Sequence, residues 1–217
     1  MLGTIGFTSA ALLFFWYGLS ARNTNKLPSI RNQSYAGAYI FLALACVTWA
    51  ITLIFGDNAL DKGVLVGDLF VIIGTVLMID SISKANYRAI STLGSLLLGI
   101  MAFIARIKYF SPNAYINDGI LVFNSAKTVT VIFTAMFVLI WFPITMRFVR
   151  EVLTASKLDY LVKAGVFSCV LAVFGVTGFV SSKKKSEVIA YFVILCSAYA
   201  SLIGIAYLSR RGRINES

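Results

Sequence analysis

Apolar residues run along this chain in seven long blocks, separated by short segments where charged residues, amides and prolines collect. The blocks cover 2–20, 36–56, 64–83, 89–105, 128–146, 164–182 and 188–209. A helix needs roughly 20 apolar residues to cross about 30 Å of hydrocarbon. Lipid offers backbone amides no partner, so a spanning segment is a helix or a strand of a closed barrel. Barrel strands alternate apolar with polar residues, and these blocks do not. The pattern predicts an all-α integral membrane protein, a bundle of seven transmembrane helices forming a single polytopic domain over 1–217. The first block has no Lys or Arg before Arg22 and is longer than the apolar core of a signal peptide, so it is read as a retained helix.

The connecting segments are too short for a soluble domain. The segment 109–127 carries Pro112-Asn113 and then Asn117-Asp118-Gly119 between Tyr115-Ile116 and Ile120-Leu121-Val122-Phe123. Asp-Gly between apolar runs signals a small β-hairpin. A plain interfacial loop fits the same residues, and the two forms stay open. The segment 147–163 mixes Phe148, Val149, Val152, Leu153, Leu158 and Leu161 with Arg150, Glu151, Lys157 and Asp159, which suits a helix extension or an interfacial stretch. Pro143, the one proline inside a block, is placed to kink the fifth helix.

Charge turns the blocks into a topology. The chain holds 19 Lys and Arg against 9 Asp and Glu, a net charge of +10. Twelve of the 19 fall on one side of an alternating path: Arg22, Lys26, Arg31, Lys84, Arg88, Arg147, Arg150, Lys157, Lys163, Arg210, Arg211 and Arg213. The richer side belongs in the cytoplasm, which predicts N-out/C-in in a plasma or cytoplasmic membrane. Lys183, Lys184 and Lys185 oppose the rule from the outer side. Because the charges sit at block ends, their expected partners are anionic lipid headgroups at the basic inner loops, not nucleic acid. Arg88 and Arg106, at the ends of the fourth block, are expected to snorkel to the two interfaces.

Small residues recur at helical spacing: Gly67, Gly74 and Ser81; Ser91, Ser95 and Gly99; Gly165, Ser168, Ala172 and Gly175; Cys196, Ala200 and Gly204. Such stripes let membrane helices approach closely, within one bundle or across a dimer face. Cys46, Cys169 and Cys196 all lie inside blocks and read as small apolar packers.

The candidate chemistry is sparse. The chain has no histidine, no CxxC, no Gly-rich phosphate loop and no GxSxG, so no enzyme, cofactor or metal site is expected. The seventh block has no lysine, which excludes a retinal Schiff base there. The intramembrane ionisable groups are Asp68 and Asp80, on the third block. Their spacing gives about 18 Å of rise and about 120° of rotation, so they cannot form one site. Each acid has basic partners within reach: Lys62, Arg106 or Lys127 for Asp68, and Lys84 or Arg88 for Asp80.

Two roles follow. Asp80 with Arg88 forms an inner gate or ion pair. Asp68 and Thr75 share a polar face that, with Ser197, Tyr199 and Ser201 of the seventh helix, would line a pocket for a small apolar or weakly polar ligand. That makes a non-enzymatic binding or transport protein. The alternatives are an accessory or structural subunit of a larger membrane complex, with a membrane-protein partner or a second copy, and a sensory receptor acting through a cytoplasmic-side partner.

Overall fold

A computed structural model describes residues 2–22, 29–83, 85–108, 114–139 and 159–214. Among these residues it is mostly helical, with seven α-helices. They are α1 (Leu2–Arg22), α2 (Ser29–Phe55), α3 (Asp57–Ile82), α4 (Arg88–Lys108), α5 (described over Lys127–Leu139), α6 (Asp159–Ser181) and α7 (Lys185–Ile214). A 3-10 turn at Ala85–Tyr87 leads into α4. Among the described residues, three helical stretches are long and apolar enough to cross a membrane: Gln33–Phe55, Asp57–Ser81 and Arg88–Lys108. Shorter apolar stretches run over Gly3–Leu19, Lys127–Leu139 and Val170–Phe179. Pro143, the segment 147–158 and any kink there lie outside the described residues.

The helices outrun the apolar blocks because backbone hydrogen bonding continues into polar sequence. The largest correction is at 57–63. The charge pattern places an outer loop there, yet these residues form the first turns of α3. Gly56 alone separates α2 from α3. Its φ of 68° is a left-handed conformation that glycine adopts without a Cβ penalty. Asp68 therefore sits eleven residues, about 16 Å, into its helix.

The segment 109–127 does contain the hairpin. β1 (Tyr115–Asn117) pairs antiparallel with β2 (Ile120–Val122), Asn117 opposite Ile120. Asp118 and Gly119 take φ of 49° and 75°, the pair of positive values that a type I′ turn requires. The hairpin is tied to the α6–α7 turn. Tyr115 Oη donates to the Lys183 carbonyl at 2.5 Å, Asn124 N–H to the Ser182 carbonyl at 3.2 Å, and Lys185 Nζ reaches Asp118 at 3.0 Å. The lysine run 183–185 thus lies beside the hairpin, as expected from the alternating path. In the same turn, Lys183 and Lys184 donate their N–H groups to Glu187, and the Lys183 bond leads in holding that carboxyl below its usual range. Gly119→Ala is expected to lose about 1–2 kcal/mol from placing a Cβ at positive φ, read as a lower melting temperature in detergent.

Among the described residues, three apolar clusters fill the interior. The hairpin end holds Phe7, Leu60, Val64, Leu121, Phe123 and Phe179. The middle joins α2, α3, α4 and α5 through Ala45, Ile72, Ala102, Phe133 and Met136. The opposite end joins α2, α3, α6 and α7 through Ala38, Met78, Ile79, Ala172 and Ala198.

Candidate functional site

Asp68 faces α4. Its carboxylate accepts a 2.6 Å hydrogen bond from Arg106 Nε, and Arg106 Nη1 donates to Ser125 Oγ at 2.9 Å, just ahead of α5. Asp68 is 5% exposed and Arg106 2%. The expected snorkelling of Arg106 is corrected here. A guanidinium turns into the bundle when a carboxylate and a hydroxyl wait for its donors, because a buried charge needs a partner more than it needs an interface. Of the basic residues within reach, Arg106 is the partner. The network joins α3, the last turn of α4 and the chain entering α5.

Asp80 anchors a second network at the far end of α3. Its Oδ1 accepts from Arg88 Nε at 2.8 Å and Thr92 Oγ1 at 3.0 Å. Its Oδ2 accepts from Ser34 Oγ at 2.7 Å and from Arg88 Nη2. The expected ion pair with Arg88 is present, and Ser34 of α2 and Thr92 of α4 complete it. Thr92 lies one turn after Arg88, a spacing that puts two residues on one helical face. Ser34 and Ser125 carry no such signal. Both acids thus fasten α4 to α3, one at each end.

The remaining predicted ligand contacts do not converge. Thr75 is buried, but its hydroxyl turns back to the Val71 carbonyl at 2.7 Å. Ser197 and Ser201 are exposed on α7. The Tyr199 side chain lies outside the described residues. Gly67 and Gly74 face α2: a Cβ at Gly67 would overlap the Trp49 indole, and one at Gly74 would lie 3.0 Å from the Ala38 carbonyl. Where the sequence places a ligand between α3, α6 and α7, Met78, Ile79, Ala172 and Ala198 pack together.

The small-residue stripes divide unequally. Gly67 and Gly74 are buried, as are Ser95 and Gly99, and Gly165, Ser168, Ala172 and Gly175. On α7, Cys196 and Ala200 of the stripe point outward, with Ser197 and Ser201 exposed beside them, and Gly204 lies outside the residues whose burial is described. Reading Cys196 as an interior packer is therefore corrected, while Cys46 is buried. The inner face of α7 carries Ala198 and Leu195, whose backbone lies 3.1 Å from where a Gly175 Cβ would be.

One open groove of about 560 Å³ is lined by Asp80, Arg88, Ala89, Thr92, Leu93 and Leu96. No group of three or more His, Cys, Asp and Glu able to hold a metal occurs among the described residues. Compared with protein-family models, curated proteins and solved structures, the chain matches none.

Proposed function

We propose that this chain is a multi-pass integral membrane protein, seven-spanning and N-out/C-in in a plasma or cytoplasmic membrane, that works without catalysis as a subunit of a larger membrane complex. The outward face of α7 carries this reading. Other helices turn large apolar side chains outward: Leu12 and Phe15 on α1, Ile51 and Ile54 on α2, Leu97 and Ile104 on α4, Phe167 and Phe174 on α6. Those suit acyl chains. α7 does the same at Ile189 and Val193, but further along it exposes Cys196, Ser197, Ala200 and Ser201, two small residues per turn over two successive turns. Neither serine hydroxyl has a hydrogen-bond partner among the described residues. A small, hydroxyl-bearing face lets another helix approach closely and hydrogen-bond across the contact, which acyl chains cannot do. The partner is a membrane helix with a matching small face.

The binding or transport reading loses support at Asp68, whose carboxylate is committed to Arg106. Cys196 provides the test of the subunit reading. In native membranes, a thiol-reactive cross-linker at Cys196 is expected to join the chain to one partner of fixed mass. Ala200→Phe is expected to abolish that product, while Leu97→Phe on α4 leaves it intact. A Cys196 that takes up a monofunctional reagent but never cross-links would remove the proposal.

A further inference from the structure

The groove at the Asp80 end has a polar head and an apolar wall, and its free polar valence is of one kind. Asp80 accepts two donors on each carboxylate oxygen: Arg88 Nε and Thr92 Oγ1 on one, Arg88 Nη2 and Ser34 Oγ on the other. A carboxylate offers about four acceptor sites, so Asp80 is saturated. Arg88 has five N–H donors and gives two of them to Asp80. Among the described residues its Nη1 amino group has no acceptor. The groove therefore presents N–H donors and no free acceptor from the ion pair. The Arg88 and Asp80 side chains are 28% and 16% exposed, so the donors are reachable. One step further along α4, Leu93 and Leu96 line the same groove and are exposed.

We infer that this groove holds a membrane phospholipid, its phosphate on the free edge of Arg88 and one acyl chain along Leu93 and Leu96. A phosphate supplies acceptors in the planar spacing that a guanidinium matches. Asp80 acts as the positioning group: its bonds to Nε and Nη2 fix the plane of the guanidinium and leave Nη1 outward. The ion pair lies at the start of α4, the helix end expected at the basic, headgroup-contacting side of the membrane.

The test uses the purified full chain in detergent, titrated with dioleoylphosphatidylglycerol, dioleoylglycerol or inorganic phosphate and followed by native mass spectrometry. One phospholipid per chain should be retained at concentrations where dioleoylglycerol is not, and millimolar phosphate should not displace it. Leu96→Trp fills the apolar wall, and Arg88→Lys replaces the planar fork with a single ammonium. Each should weaken retention about tenfold, the effect of roughly one lost charge-assisted hydrogen bond or its apolar equivalent. The melting temperature of Leu96→Trp without lipid should stay unchanged. Equal retention of dioleoylglycerol, displacement by free phosphate, or wild-type retention by Leu96→Trp would each overturn the assignment.

Discussion

Arg106→Leu is expected to destabilise the folded chain by about 3–5 kcal/mol, the cost of stranding one member of a buried ion pair. The variant leaves the Asp68 carboxylate without its 2.6 Å donor and takes the Nη1 bond from Ser125. Asp68→Asn should cost less, since the amide oxygen still accepts from Nε, although the guanidinium then lies buried without a counter-charge. Changing both together, Asp68→Leu with Arg106→Leu, should recover much of the loss, because an apolar pair of similar volume often replaces a buried salt bridge at little cost. Thermal unfolding of the three variants in detergent gives the comparison. A double variant no better than Arg106→Leu alone would show that the charges are not what joins these helices. The same series separates two roles for Asp68. A ligand contact, removed, would leave the melting temperature where it was.

The two ion pairs also explain why α4 stays in place. Apart from Ser95, Gly99, Ala102, Ala105 and Arg106, its residues are largely turned outward. A helix with so narrow a buried face gains little from packing, and lipid competes for its apolar side chains on equal terms. Fixing it at Asp80 near its start and at Asp68 near its end sets its rotation and its register along α3. The hydroxyls recruited to each pair, Ser34 with Thr92 and Ser125, satisfy donors and acceptors that would otherwise be costly in hydrocarbon.

The helices were legible because 3.6-residue secondary structure in lipid needs only length and apolarity, and the hairpin because Asp118-Gly119 has few conformations open to it. Helix ends were less so. Hydrophobicity stops at Ala36 going backward, yet α2 starts at Ser29, since a helix continues wherever its backbone bonds can. For Asp68, charge and reach allowed three basic partners, and only the direction of α4 selects Arg106. Ser34 lies 46 residues from Asp80, a separation at which no local spacing rule operates. The small-residue stripes were visible by periodicity, but periodicity is the same for a covered stripe and an open one. That α7 keeps Cys196 and Ala200 outward depends on which face Leu195 and Ala198 turn to α6 and the bundle, a property of the assembled helices.

Gly67→Ala tests how closely α2 and α3 depend on the missing side chain. A Cβ there would overlap Nε1 of Trp49 and lie 2.7 Å from its Cδ1. The indole has little freedom to retreat, because it packs against Phe7 at 5.4 Å and edge-on against Phe123 at 5.1 Å between ring centroids. Moving it would displace the cluster that joins α1, the end of the hairpin and α6. Overpacking of this kind costs about 1–3 kcal/mol, more than the gain of up to about 1 kcal/mol in helix propensity from Gly to Ala. Gly94→Ala is the matched control, since a Cβ at Gly94 meets nothing within 4 Å. It should be neutral or slightly stabilising. Trp49→Phe provides the rescue. The indole N–H has no hydrogen-bond partner among the described residues, so removing it breaks no bond, and the smaller ring leaves room for one methyl. Gly67→Ala should therefore cost clearly less in the Trp49→Phe background than in the native one, with a coupling of about 1 kcal/mol for residues in direct contact. Equal costs in the two backgrounds, measured by denaturation in the same detergent, would mean that the helices yield at Gly67 by moving apart and that Trp49 does not hold the interface.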